Sequence, residues 1–251
     1  SSANCAGALI TLNAAVAEQL TEFKAAVDKE LAAGKPVNIA VMDTLKPIIK
    51  SIIDVVCFDG NGYSDEWKAE AKRRGLDTST SVPEMITEFT KPASVKMFTS
   101  TGVYTEAELE ARNDVKWEMY VKKVQIESRV MARMVNNHII PAAIEYKGKL
   151  LKDIALCKEV FPDSYLEDCA SEIELVKSIS TLVTKAKDMA ENMRLARKAA
   201  NAIEDTYAKA VAYHDIAESL FALRKPVDQL EEIVDNSLWP LPKYREMLFI
   251  S

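Results

Sequence analysis

Few residues in this chain have the types and spacing that chemistry needs. His138 and His214 are its two histidines, the residue type that exchanges protons near neutral pH and ligates transition metals. Both fall on apolar stripes at helical spacing, so a buried pair acting on a metal or a proton is one reading. Dinuclear sites in helical bundles use Glu-x-x-His twice, and neither His138 nor His214 is preceded by that pattern. Satisfied core or hinge histidines are therefore expected. Cys5, Cys57, Cys157 and Cys169 contain no Cys-x-x-Cys and no paired Cys/His spacing, which argues against a zinc site or a disulfide framework and fits thiols in a reducing cytosol. With two histidines so placed, no Ser/His/Asp or Cys/His nucleophile arrangement stands out. The loop at 59–64 holds Gly60 and Gly62 but no following Lys-Ser/Thr, so it reads as a turn and not as a phosphate cradle. Arg194, Arg197 and Lys198 could meet an acidic partner, although such a run is usually a solvated helix face. No catalytic, cofactor-binding or metal residue is assigned.

Composition excludes further classes. The 251 residues include 32 Lys and Arg against 38 Asp and Glu, a net charge of −6, so nucleic acid and anionic membranes are not expected partners. No apolar run of about 18 residues suggests a membrane span, and the first residues lack the basic region of a signal peptide. A 48% hydrophobic content with only 7 glycines predicts a sizeable core built from long helices.

The elements that would carry these residues can be placed from capping and periodicity. An apolar helical pattern through Leu9, Leu12, Val16, Leu20, Phe23, Val27 and Leu31 ends at Gly34 and Pro36, as one amphipathic helix. In the next apolar segment Pro47 either kinks a helix or lies in the first turn of one capped by Thr44, the second being favoured. Ser64 reads as the cap of a short helix stopped at Gly75, Ser81 and Glu84 as a capping box, Lys91-Pro92 as a boundary and Gly102 as a stop. Thr105 and Glu108 open a long helix whose seam runs through Trp117, Val121, Val124, Ser128, Met131, Val135 and His138. Pro141 leaves the carbonyl of Asn137 without its helical donor, at about 3 kcal/mol if nothing compensates, so a kink is expected there. After a turn at Pro162, a return stripe runs from Leu175 through Ile179, Leu182, Ala186, Met189, Met193, Ala196, Ala200, Ile203, Tyr207, Ala210, His214 and Ala217 to Phe221. Unbroken, that arm would span roughly 70 Å, and a break near Asn201 would shorten it. The two long helices are expected to fold back on each other, close together where Ala186, Ala196, Ala200 and Ala210 form the seam.

Specific strings carry a resemblance. FDGNGYSDEWKAEAKRRGL from Phe58, TGVYTEAELEAR from Thr101, VNNHIIPAAIEY from Val135 and DNSLWPLPKYREMLF from Asp235, together with the opening SSANCAGALITLN, resemble the C-terminal part of type III glutamine synthetases, in that family's order. The resemblance implies an all-α, elongated antiparallel helical bundle with long helices, the C-terminal part of a catalytic domain without its β-strands. Residues 1–128 resemble the closing helices of that domain and 129–251 the helical extension of type III enzymes. It also implies an intact cytoplasmic enzyme that ligates ammonia to glutamate for nitrogen assimilation, using ATP and Mg2+ or Mn2+, and assembles as a homo-oligomer of stacked rings. The family's metal-binding glutamates and substrate-binding arginines precede the segment similar to Ser2-Ala3-Asn4. No catalytic residue carries over, and the isolated chain is expected to be inactive, with the upstream catalytic half as its partner. Asp77 and the pair Ala132-Arg133 depart from the family pattern. The competing reading is a stand-alone helical protein-interaction module.

The terminus is the segment closest to function. Trp239, Leu241, Tyr244, Arg245, Leu248 and Phe249 lie around Pro240 and Pro242, which forbid a continuous helix. Such a tail is ordered only where it docks, since fixing each backbone residue costs about 1–2 kcal/mol. It packs on its own bundle or the catalytic half in one reading, and latches onto a neighbouring subunit in the other.

Overall fold

The computed structural model describes residues 5–248, the side chains of Tyr244 and Arg245 excepted. No strand occurs among the described residues, as the all-α reading requires. The chain forms two compact units, Ser1–Val115 and Lys116–Ser251.

In the first unit, α1 (Ala6–Ala32) ends where Gly34 takes φ +87°, a conformation that costs glycine little. The Gly34 N–H reaches the Leu31 carbonyl at 2.9 Å and the Lys35 N–H reaches Glu30 at 3.3 Å, closing the helix end. The extended Pro36 then starts α2 (Val37–Val56). Pro47 lies inside α2 instead of in a first turn, and Thr44 is no cap: its hydroxyl donates back to the Ala40 carbonyl at 2.9 Å. With the helix begun at Val37 and packed along α1, tertiary contact carries it past the one donor that Pro47 lacks. The Ser64 hydroxyl accepts the Trp67 N–H at 3.1 Å to start α3 (Asp65–Arg73). Short elements follow as α4 (Val82–Thr87), a 3-10 turn and α5 (Pro92–Ser100). The box that opens α6 (Glu106–Met134) is complete: Thr105 N–H donates to the Glu108 carboxylate at 2.9 Å and Glu108 N–H to the Thr105 hydroxyl at 3.3 Å.

This unit has a small core of Ala14, Met97, Phe98 and Leu109. The stripe expected along α1 is buried only in its second half, where Val27 is closed in and Phe23 and Leu31 are half-buried; its first half is open. Leu12 and Leu20 are 63% and 61% exposed, with Leu9 and Val16 open beside them, and α2 exposes Ile39, Met42, Ile49, Ile52 and Ile53.

In the second unit α6 passes through a π-helical turn (Val135–Ile139) into α7 (Ile140–Val160). After the one-turn α8 (Tyr165–Asp168), α9 (Ala170–Asn201) returns. The return arm is not one helix. Residues 202–205 reverse it, the Asp205 carboxylate accepts the Ala208 N–H at 2.6 Å, and α10 (Thr206–Ile233) folds back along α9. The single-turn α11 (Tyr244–Met247) follows. Three helices rather than two therefore share the core: Val121 and Val124 from α6 with Val135 from the π turn that continues it, Ala186, Ala190, Met193 and Ala200 from α9, and Ala210, Tyr213, Ile216 and Leu223 from α10.

Two seam residues move as a consequence. The π turn, where the Ile140 N–H bonds Val135, adds a residue to the repeat just before Pro141. Ile139 thereby replaces His138 in the core, and His138 is exposed with Asn136 and Asn137. The expected interruption at Pro141 takes the form of this wider turn. Ala196, expected in the seam, is exposed, and so is Phe221, because α10 offers α9 the line through Ala210, Tyr213, Ile216 and Leu223 instead.

Candidate interaction surface

The terminal segment is held by a few local contacts at the end of α10. Asp235 Oδ1 accepts the Ser237 N–H at 2.7 Å and the Ser237 hydroxyl at 2.8 Å, while the Leu238 and Trp239 N–H groups reach the Asp235 carbonyl at 3.0 and 3.1 Å. The Ser237 bonds, helped by Lys149 and Lys243, hold the Asp235 carboxyl below its usual range. This turn aims Trp239 back at the bundle, where it is 8% exposed and packs with Ile139, Ala143, Leu150, Ile179, Leu230 and Val234. Its indole Nε1 is buried without a hydrogen-bond partner among the described residues, so the ring is held by packing and not by a hydrogen bond of its own. Leu238 and Leu241 rest against the same cluster.

Lys243 fastens the segment. Its Nζ donates to the carbonyls of Glu231 at 2.7 Å and Val234 at 3.4 Å, and it lies 5.8 Å from the Trp239 ring centroid. A cation there satisfies the last carbonyls of α10 and opposes the negative end of its dipole. No sequence signal marked Lys243, because its role depends on the turn at Asp235. Of the other residues expected to interact, Leu248 is exposed, Tyr244 and Arg245 belong to α11 with their side chains outside the described set, and Phe249 lies outside the described residues.

The chemically suggestive residues do not converge. His214 Nδ1 lies 2.9 Å from the Tyr120 hydroxyl. Burial first, then Glu218 and Glu127, push that phenol above its ordinary pKa, so Tyr120 stays protonated, and its hydroxyl shares a hydrogen bond with the ring nitrogen. The loop at 59–64 is built as a turn: Asn61 Oδ1 accepts the Tyr63 N–H at 3.0 Å, and Phe58 stacks on Trp67 at 3.9 Å. Gly60 has φ +154°, and a Cβ there would meet Phe58 Cζ at 2.8 Å. Arg74 caps α2 by donating to the Cys57 carbonyl at 2.8 Å and pairs with Glu70 at 2.6 Å. Glu70 is held at about 2 by Arg73 and then Arg74. Among the described residues no three His, Cys, Asp or Glu groups are placed to hold a metal ion, and no helix is long and apolar enough to cross a membrane.

Residues 40–158 match the model of the glutamine synthetase C-terminal domain. The chain is 43% identical to a glutamine synthetase of Bacteroides fragilis over 252 residues, an alignment covering 99% of this chain and 34% of that protein. It is 26% identical to the type-3 glutamine synthetase of Dictyostelium discoideum over 96% of this chain and 33% of that protein, and 30% identical to a glutamine synthetase of Butyrivibrio fibrisolvens over 82% and 30%. The chain thus spans about a third of the length of these relatives. A helical, strandless chain that carries this domain and aligns nearly end to end with part of such enzymes belongs to the glutamine synthetase family.

Proposed function

We propose that this chain is the helical C-terminal portion of an ATP-dependent ligase that joins ammonia to glutamate, and that it supplies framework and assembly surfaces while the rest of the protein performs the reaction. The observation that carries this reading is the uncovered face of α1 and α2. Leu9, Leu12, Val16 and Leu20 on α1 and Ile49, Ile52 and Ile53 on α2 are all exposed, and open apolar faces of this kind mark surfaces that another protein element covers. The occupant we assign is the part of the polypeptide that the relatives have and this chain does not span. A stand-alone interaction module would leave that face in water.

In this reading residues 1–128 close the catalytic domain and 129–251 form the type III extension of a cytoplasmic homo-oligomer. ATP and a divalent cation belong to the remaining part of the protein. The described residues here bring no suitable ligand set together, so no step of the reaction is assigned to them.

The test places Leu12→Asp and Leu20→Asp together in the full-length protein and measures ATP-dependent glutamine formation and sedimentation. Burying two unpaired carboxylates is costly, so the doubly substituted enzyme should lose at least tenfold in activity and fail to assemble. Wild-type activity and size in that variant would refute the assignment, as would ligase activity in the 251-residue chain alone.

A further inference from the structure

The second unit holds an apolar cleft of about 480 Å3 between α6 and α10. Ile126, Val130 and Met134 line it from α6, Val227 from α10, and Trp239 and Leu241 from the terminal segment. Ile126 and Val130 are exposed, so the apolar lining continues to the surface. Carboxylates border it from both helices, Glu127 on α6 and Asp228 and Glu231 on α10. Arg224 takes up Asp228 at 3.2 Å. Neither Glu127 nor Glu231 forms an ion pair among the described residues.

The stretch that follows Leu241 has the complementary character. Met247 and Leu248 are exposed, and the sequence places Arg245 just before them and Phe249 and Ile250 just after. Their own chain does not seat Met247 and Leu248 in the cleft. Lys243, bound to the Glu231 and Val234 carbonyls at 2.7 and 3.4 Å, fixes the start of the stretch, and neither Met247 nor Leu248 is among the residues that line the cleft.

We propose that the cleft receives residues 245–250 of a second copy of this chain. The apolar side chains enter between α6 and α10, where the unbranched Met134 adapts to them, and Arg245 supplies the cation that Glu127 and Glu231 lack. Leu248 lies seven residues beyond Leu241, within about 25 Å of the cleft. One copy's stretch seated on a neighbour thus keeps the neighbour's stretch within reach of the first cleft, and a reciprocal exchange closes as a two-fold pair. The contact uses only residues of the second unit, so it stands whether or not the α1 and α2 face is covered as proposed above.

Sedimentation velocity of the 251-residue chain over a range of micromolar concentrations tests the pairing. A monomer–dimer equilibrium is expected, weakened about tenfold or more by Val130→Asp in the cleft and by Leu248→Asp in the stretch. Both positions are exposed, so each variant should keep the wild-type circular dichroism and melting curve. A labelled synthetic peptide of residues 243–251 should bind the Leu248→Asp chain, whose cleft is intact, about tenfold or more tighter than the Val130→Asp chain, and the peptide with Arg245→Glu should bind more weakly at low salt. A chain that stays monomeric overturns the proposal, and peptide binding to such a chain would assign the cleft to the chain's own terminus. So does a Val130→Asp chain that pairs as wild type, which would put the contact on another surface, or a peptide that binds the two variant chains equally.

Discussion

The helix pair α1 and α2 and the three-helix bundle of α6, α9 and α10 are written in the same code and meet opposite fates. Leu9, Leu12, Val16 and Leu20 repeat by threes and fours as regularly as Ala186, Met189 and Met193 do, yet the leucines are exposed while Ala186 and Met193 are closed in a core. The reason is what each face finds within reach. On α9, small residues let α6 and α10 approach until Tyr213, Ile216 and Leu223 fill the space between them. On α1, Ala14 finds Met97 and Phe98, but the leucine face finds nothing of comparable size. A periodic stripe states that a helix has a buried face; it does not state which chain supplies the other side.

Core substitutions should separate the two regions most sharply. In urea unfolding of the 251-residue chain, Leu223→Ala, at a fully buried site, should cost about 2–5 kcal/mol, and Ala186→Leu, likewise fully buried, about 1–3 kcal/mol. Leu12→Ala and Ala196→Leu, both exposed, should change stability by less than about 0.5 kcal/mol. A Leu12→Ala cost equal to that of Leu223→Ala would show that the α1 face is already covered, and the contrast would collapse.

The same contrast explains what could be read from residues alone. Caps were legible because they are local: Ser64, Thr105 with Glu108, and Gly34 act within four residues of themselves. The reversal at 202–205 was harder, since Ala200, Ile203 and Tyr207 keep helical phase across it and only Asp205 betrays a new start. The π turn was invisible in the seam because Val135 to His138 and Val135 to Ile139 are both acceptable helical steps, and the choice was made by Pro141 and the core. For the terminal segment, Pro240 and Pro242 announced the break, but that Trp239 turns inward depends on the Asp235 turn and the reach of Lys243.

The terminus offers a second way to sharpen the comparison, since Trp239 is buried there and Met247 is exposed. Trp239 and Leu241 are engaged with their own bundle, whereas Leu248 is exposed. Removing residues 244–251 from the full-length protein should therefore leave the bundle's melting temperature within a few degrees while reducing oligomer size in sedimentation at low protein concentration. Removing residues 239–251 should lower the melting temperature as well, because burying a Trp contributes about 1.5–3 kcal/mol. An oligomer that survives the shorter deletion at full size would confine the tail to packing within one subunit.

The smallest expected effect is at the cysteines, two in each unit. Cys57 is exposed in the first, while Cys169 is buried at the start of α9 in the second. A hydrogen bond with the Cys157 side chain, and then burial, push the Cys169 thiol up to about 11. Its reactive thiolate is thus scarce at pH 8, where an ordinary cysteine near 8.5 is partly ionised. Iodoacetamide at pH 8 should label Cys57 much faster than Cys169, and the Cys169 rate should climb only as pH approaches 11. The stability linkage has the matching sign. The folded state keeps the proton that the unfolded chain releases near 8.5, so the contribution is fully present below that pH and is lost as pH rises toward 11. Peptide mapping that finds Cys169 alkylated as fast as Cys57 at pH 8 would mean the turn between α7 and α9 is open, and the second unit less closed than its core implies.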